Sequence, residues 1–139
     1  MGDIINLEII TPEETVVKSE ILDLYIPAFY GKAGILSNHL PYISLLKFGE
    51  VSYDDIEGKS HYLYIENGFL EVNENNISII SDKVIRGEEI DEIDVKAKLA
   101  EIEKKIKSAS SGEIGSEELK MLLEENRKLI SQKKISDKI

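Results

Sequence analysis

Along the first half of the chain, apolar side chains recur at every second position. Such alternation predicts strands that bury one face in a core. The first run places Ile5, Leu7 and Ile9 on one face, between polar neighbours. Further short runs, rich in β-branched and aromatic residues, follow at Leu22–Leu24–Ile26, 42–46, 51–56, 61–65, 69–72 and 77–80.

Turn-forming residues separate these runs at intervals of eight to twelve positions, namely 47–49, 57–59, 66–68 and 74–76. This spacing is typical of an all-β sandwich or barrel. A doubly wound parallel sheet is excluded, because no helical pattern lies between the predicted strands. Residues 30–41 contain two glycines and the apolar Leu36 and Leu40. They predict a long loop that either carries function or folds over one end of the sandwich.

Past Gly87 the apolar period lengthens. Val95, Leu99, Ile102 and Ile106 recur at spacings of four, three and four, which predicts one face of a helix. Asp94 is the expected N-cap of this helix, and residues 108–115 form a Ser/Gly-rich loop. Ser116 is the expected cap of a second helix. The apolar side chains of that helix lie at 119, 122, 123, 129 and 130.

The predicted fold class is therefore α+β. An N-terminal all-β sandwich over 1–87 is followed by a C-terminal antiparallel αα-hairpin over 88–139. Neither helix is long enough to be stable alone in water. The hairpin must therefore bury its apolar faces against itself, the β domain or another protein.

Charge is distributed unevenly along the 139 residues, whose formal net charge is −10. Residues 1–83 hold 5 basic and 14 acidic side chains, a net charge of −9. From Val95 onward, 11 basic and 8 acidic side chains give +3. The acidic balance argues against nucleic acid as the main partner, since phosphate binding needs a cationic surface.

The sequence offers no catalytic or metal-binding motif. Cysteine is absent, and His39 and His61 are the only histidines, so thiol catalysis and zinc–thiolate sites are excluded. The triplet 58–60 ends like a phosphate-binding loop, but Tyr53 replaces the required glycine and the context is a hairpin. The longest apolar stretch, 24–30, is too short to span a membrane, and no signal peptide is visible.

Three segments carry a family resemblance. Residues 34–43, Gly-Ile-Leu-Ser-Asn-His-Leu-Pro-Tyr-Ile, resemble the G-I-(L/Y)-P-G-H-x-P-L-(L/I) segment of the epsilon subunit of F-type ATP synthases. Residues 67–72 resemble that family's G-G-(F/I)-L-E-V strand, and 85–87 its junction after the last strand. The likeness extends over the whole chain and has the same β-then-αα order.

The resemblance implies a non-catalytic subunit of the proton-transporting ATP synthase, in the rotating central stalk. Such a subunit couples rotation between the membrane c-ring and the catalytic head. It is peripheral, on the cytoplasmic face of the bacterial cell membrane. Its implied partners are the gamma subunit, the c-ring and, through the C-terminal helices, the catalytic alpha and beta subunits. Residue by residue, the implied c-ring contacts are Lys32, Ser37, Asn38, His39 and Leu40, and the implied gamma-subunit contacts are Thr11, His39 and Ile43.

Two departures from the family pattern concern these contacts. Lys32 stands where relatives often carry an acidic residue, which reverses the sign of the c-ring contact. Ser37 and Asn38 replace the usual Pro-Gly.

The resemblance also implies that the C-terminal helix inhibits ATP hydrolysis by inserting basic side chains beside an acidic segment of the catalytic subunits. The residues concerned are Lys120, Arg127, Lys128, Lys133 and Lys134. The alternative is ordinary helix polarity, since cations are favoured near a C-terminus.

In some relatives an I/L-D-x-x-R-A segment helps to bind ATP. Ile90 and Asp91 match it here, but Asp94 stands where the arginine would be. A carboxylate beside a triphosphate is unfavourable. No cofactor is therefore expected, and regulatory ATP binding is disfavoured.

Two other classes of function stay open. A free-standing β-sandwich adaptor with a helical tail would need no match at 34–43 and 67–72. A small hydrolase would need a nucleophile and a base, for which no motif argues.

Overall fold

The computed structural model describes residues 4–28, 31–36, 41–109, 112 and 115–139, with the backbone alone at 28, 31–36 and 42. The chain divides into two compact units, residues 1–87 and 88–139. The first unit contains strands and the second contains helices. The predicted α+β class, a β-sandwich followed by two helices, is confirmed.

Six strands form the first unit. They are β1 (Ile5–Ile10), β2 (Thr15–Ala28), β3 (Gly31–Leu36), β4 (Tyr42–Asp55), β5 (Ser60–Asn73) and β6 (Asn76–Arg86). Their order in the sheet is β1-β6-β5-β4-β2-β3, and β1 also pairs with β2. Five strands therefore close into a barrel-like ring, and β3 extends from β2. The pairing of β1 with β6 is parallel, and the other pairings are antiparallel.

The core of this unit lies inside the ring. As the alternation predicts, Ile5, Leu7 and Ile9 are buried. The second predicted run is wrong in one position, because Ile21 is buried and Leu22 is exposed. The pairing of β2 with β4 shifts register between Ile21 and Asp23, and a shift of this kind moves side chains to the other face.

Two predicted turns are wrong. Residues 47–49 lie within β4 and residues 66–68 lie within β5, so four predicted strands are two long ones. Gly49 (φ 142°) and Asn67 (φ 50°) give these strands a local irregularity without ending them. Both strands continue because β4 and β5 pair with each other before and after the irregularity. Leu46 opposes Gly68, and Phe48 opposes Glu66.

The other two predicted turns are present. Gly58 has a φ of 84° between β4 and β5, and Glu74 has a φ of 57° between β5 and β6. The predicted loop over 30–41 is wrong for half its length, because residues 31–36 form β3 and pair antiparallel with β2. The local composition of residues 31–36 does not predict this strand, because backbone pairing with β2 stabilises it.

The second unit contains α1 (Glu92–Ala109) and α2 (Ser116–Ser136), after a single 3-10 turn at Gly87–Glu89. Both predicted caps are displaced. Asp91, and not Asp94, caps α1, since its Oδ1 accepts a hydrogen bond from the Asp94 N–H at 3.1 Å. Gly115 is the N-cap of α2, and Ser116 is its first helical residue.

The predicted apolar face of α1 is confirmed. Val95 and Ile102 are buried and pack with Leu129 of α2, and Leu99 and Ile106 are half-buried against them. Ile135 of α2 is also fully buried. Across the described part of the chain, neither helix has the length and apolarity needed to cross a membrane.

Candidate functional site

Four apolar side chains lie side by side on the outer face of the ring. Leu45 of β4 opposes Phe69 of β5, Phe69 opposes Ile80 of β6, and Ile80 opposes Ile10 of β1. We call these four residues the apolar row. Leu45 is 62% exposed, Phe69 38% and Ile80 40%, whereas Ile10 is half-buried. Contiguous exposed apolar side chains of this kind are typical of surfaces that bind a partner.

The backbone beside the apolar row is unusually close-packed. A Cβ on Gly68 would collide with the carbonyl oxygen of Ile80, so only glycine fits between these two strands. The buried Ser81 hydroxyl donates to the Glu66 carbonyl oxygen at 2.6 Å. These contacts fix β5 against β6 and hold Phe69 beside Ile80.

A second set of cross-strand neighbours lies next to the apolar row. Ile43, Glu71, Ser78, Glu8 and Lys18 oppose one another in turn across β4, β5, β6, β1 and β2. We call these five residues the polar row. Ile43, predicted to contact the gamma subunit, is 71% exposed at one end of it. The two rows together form one continuous surface.

Part of the polar row lines an open groove over β1. The groove has a volume of about 550 Å³. Its walls include Asn6 and Glu8 of β1, Lys18 and Glu20 of β2, and Ser78 of β6. Asn6 donates from Nδ2 to Asn76 Oδ1 at 3.3 Å across the groove floor.

Thr11, the other described residue among the predicted gamma-subunit contacts, holds the turn after β1. Its side chain is only 8% exposed. The hydroxyl accepts from the backbone N–H groups of Glu13 and Glu14 at 3.3 and 3.2 Å. The turn therefore occupies this hydroxyl, and a contact of Thr11 with a partner stays a prediction.

Of the five predicted c-ring contacts, four lie outside the described residues, namely Ser37, Asn38, His39 and Leu40. Lys32 is on β3, where its backbone pairs with Pro27 of β2. The c-ring contact therefore stays a prediction.

The two residues matched to a nucleotide motif have local structural roles. Asp91 caps α1 with its carboxylate, and its carbonyl oxygen accepts from the Val95 N–H at 3.0 Å. Ile90 packs against the cluster of Val95, Ile102 and Leu129. Neither role needs a ligand, and the expectation that regulatory ATP binding is disfavoured stays a prediction.

The predicted inhibitory cations of α2 fall into two groups. Lys128 and Lys133 form ion pairs with Glu124 at 3.6 Å and Asp137 at 3.1 Å, and the Lys128 side chain is only 18% exposed. By contrast, Lys120, Arg127 and Lys134 are exposed and pair with no described residue. Only this second group is available to a partner without breaking an ion pair.

His61, the one described histidine, lies in β5 directly after the turn between β4 and β5. The His61 Nε2–H donates to Asp55 Oδ2 at 2.8 Å, and its ring stacks on Tyr53 with centroids 4.7 Å apart. This hydrogen bond, and then the Lys59 N–H, holds the pKa of Asp55 below its usual value. The contact between His61 and Asp55 therefore stabilises the turn.

Burial, and then the charge of Asp54, raises the pKa of Asp23. The described residues contain no group of three ligands suited to a metal ion.

The apolar row was not among the sequence predictions, although the sequence holds a signal for it. In a half-buried strand each apolar residue should have a polar neighbour. Instead, four strands contain adjacent apolar pairs, at 9–10, 45–46, 69–70 and 79–80. One member of each pair is buried and the other belongs to the apolar row.

Comparison with known proteins identifies the family to which this chain is similar. The model of the beta-sandwich domain of the ATP synthase delta/epsilon chain matches residues 4–87. The ATP synthase epsilon chain of Dichelobacter nodosus is 39% identical over 112 residues, which are 81% of this chain and 78% of that one. The epsilon chain of Nitratidesulfovibrio vulgaris (Miyazaki F) is 35% identical over 63% of this chain and 64% of its own.

A solved structure supports the fold independently. A chain in the Euglena gracilis mitochondrial ATP synthase (OSCP/F1/c-ring) superposes with a TM-score of 0.70 and 24% identity, covering 76% of this chain and 67% of that chain. The family match extends over the whole β unit, including both rows, and the similarity to the Dichelobacter nodosus chain reaches into the helices. This chain belongs to the ATP synthase epsilon chain family.

Proposed function

We propose that this chain is the epsilon subunit of the central stalk of an ATP synthase, and that the apolar row is where its β unit contacts the gamma subunit. The observation that carries this proposal is the in-register alignment of Leu45, Phe69 and Ile80, all exposed in the isolated chain. Full burial of an exposed apolar side chain contributes about 1.5–3 kcal/mol. The gain is smaller for Phe69 and Ile80, which are already more than half buried. The three side chains together would form the apolar centre of the interface, where most of the binding energy lies.

The role is mechanical and regulatory. Torque is transmitted through packed interfaces, so the functional residues contact partners and do not catalyse. Two findings support this proposal. The relatives are named epsilon chains, and the matched Euglena gracilis chain comes from a structure of an ATP synthase that includes F1 and the c-ring. The chain would be peripheral, held at the cytoplasmic face of the membrane by the complex, with Lys32 and residues 37–40 toward the c-ring.

The test of the docking face is binding to the purified gamma subunit. Replacing Leu45 and Phe69 together with serine should weaken binding at least about 100-fold, since two central apolar contacts are lost. The matched control is Ile56→Ser, because Ile56 is also exposed but lies in the β4–β5 turn. Equal affinities for the wild type and the double variant would overturn this assignment of the face.

The C-terminal helix is proposed to restrain ATP hydrolysis through Lys120, Arg127 and Lys134. These three are the cations of the predicted set that are exposed without an ion pair to any described residue. Changing all three to glutamine should raise the steady-state ATPase rate of the assembled enzyme, and high salt should reduce the difference.

The control changes the same number of charges on α1, at Lys96, Lys104 and Lys105, and should leave the rate unaltered. An unchanged rate in the α2 variant, at full occupancy of the subunit, would leave α2 as a structural appendage.

A further inference from the structure

The groove over β1 adjoins the apolar row on the same face. Glu8 and Ile10 are successive outward-facing residues of β1, about 7 Å apart along the strand. Ser78 and Ile80 have the same relation on β6, and Glu71 and Phe69 on β5. A partner that covers the apolar row therefore lies directly beside the polar row.

The charge of this region is negative. Glu8, Glu20 and Glu71 contribute three carboxylates, and Lys18 supplies one cation opposite Glu8. Glu8 is half-buried, and its carboxylate makes no hydrogen bond or ion pair with the described residues. A half-buried carboxylate without a donor is costly once a partner removes its remaining water. A donor from the partner at this position therefore favours docking.

The groove also offers neutral acceptors. Asn6 uses its Nδ2 on Asn76, which leaves its own Oδ1 as an acceptor. The Ser78 hydroxyl lies beside Glu8 in the same cross-strand register. A guanidinium group carries five N–H donors in a planar fork, and it suits a carboxylate surrounded by further acceptors better than an ammonium group does.

We propose that this groove receives an arginine side chain of the protein that covers the apolar row, with Glu8 as its principal counter-charge. The inference rests on the proposed function, which names the gamma subunit as that protein. The apolar row provides most of the affinity. The groove makes recognition specific, because a partner with an apolar strip but no neighbouring cation would bury Glu8 without supplying a counter-charge to this negative region.

The experiment measures the dissociation constant for the purified gamma subunit at low salt and at about 300 mM salt, where exposed charges are strongly screened. Glu8→Gln keeps the shape of the side chain and removes its charge. It should weaken binding about fivefold at low salt and by less at high salt. Lys18→Gln makes the groove more negative and should tighten binding about twofold at low salt.

Glu57→Gln, which makes the same charge change in the β4–β5 turn, is the matched control and should bind as the wild type does. Thermal unfolding of each variant verifies that it is folded. The inference is overturned if Glu8→Gln and Glu57→Gln bind alike at both salt concentrations, or if Lys18→Gln weakens binding. Failure of the wild type to bind, or full binding by the Leu45/Phe69 double variant, would instead overturn the proposed docking face.

Discussion

Gly68 in β5 packs so closely against Ile80 in β6 that a Cβ at position 68 would collide with the Ile80 carbonyl oxygen. Gly68→Ala should therefore force the two strands apart. We expect it to lower the free energy of unfolding by about 3 kcal/mol, and the melting temperature by roughly 10–20 °C. Thermal unfolding followed by circular dichroism measures this. Gly115→Ala, at a position with open space around it, should cost less than about 1 kcal/mol, and equal losses in the two variants would contradict this explanation.

The turn between β4 and β5 should make stability depend on acid pH. Since the hydrogen bond from His61 lowers the folded-state pKa of Asp55, the ionised form is favoured in the folded chain. Its stabilisation is present above the ordinary value of 3.8 and is lost as pH falls through the folded-state pKa. Urea unfolding at a series of pH values should show Asp55→Asn less stable than the wild type at neutral pH, with a smaller loss below pH 3.8.

The pKa of Asp23 is shifted in the opposite direction to that of Asp55, so its effect on stability depends on pH in the opposite way. Burial and the charge of Asp54 raise its folded-state pKa, so its effect favours folding at low pH and disappears as pH rises through that pKa. Asp23→Asn should therefore lose none of its relative stability between acid and neutral pH, and should gain some. Parallel pH profiles for the Asp55→Asn and Asp23→Asn variants would show that the two carboxyl groups do not differ in this way.

Asn126 should be a weak point of the helical hairpin. It lies between Leu122 and Leu129 along one face of α2, and its buried Oδ1 has no hydrogen-bond partner among the described residues. Asn126→Leu should stabilise the helical unit by about 1 kcal/mol, because a desolvated acceptor is replaced by an apolar group. Amide hydrogen exchange of α1 and α2 measures this. Asn126→Asp should accelerate exchange, and slower exchange in both variants would contradict the assignment.

The β unit should fold without the hairpin. Its core residues all lie before residue 88, and the helical cluster of Val95, Ile102 and Leu129 shares none of them. A chain ending at Gly87 should therefore unfold in one cooperative transition. It should also bind the gamma subunit with the affinity of the full chain, since both rows are intact. A fragment without a cooperative transition would show that the hairpin is part of the folding core.

Much of this fold could be predicted from the sequence because most of its elements follow a local pattern. The alternation at Ile5, Leu7 and Ile9 and the helical spacing from Val95 each identify an element and its buried face. Where prediction failed, contacts distant in sequence decide the outcome. β5 passes through Asn67 without ending because β4 and β6 pair with it on both sides. Likewise, Leu22 is exposed because of a register shift against β4.

The candidate site was less predictable than the fold. The family resemblance selected single positions such as Ile43 and Thr11. In the structure Ile43 is exposed, whereas the Thr11 hydroxyl is already hydrogen-bonded within a turn. The apolar row is a property of the sheet, because it exists only through the register of four strands. The adjacent apolar pairs in the sequence indicate that something is unusual, but only the pairing aligns them into one surface.

Co-purification tests most directly whether this chain is a stalk subunit. A tagged copy would be expressed in cells that naturally contain the protein, and the complex would be isolated from detergent-solubilised membranes. Quantitative mass spectrometry should find the tagged chain, the gamma subunit and the c-ring together, with one tagged chain per gamma subunit. The Leu45/Phe69 double variant should be depleted from the complex, and the Ile56→Ser variant should be retained. Recovery of the folded wild-type chain free of every ATP synthase subunit would contradict the proposed function.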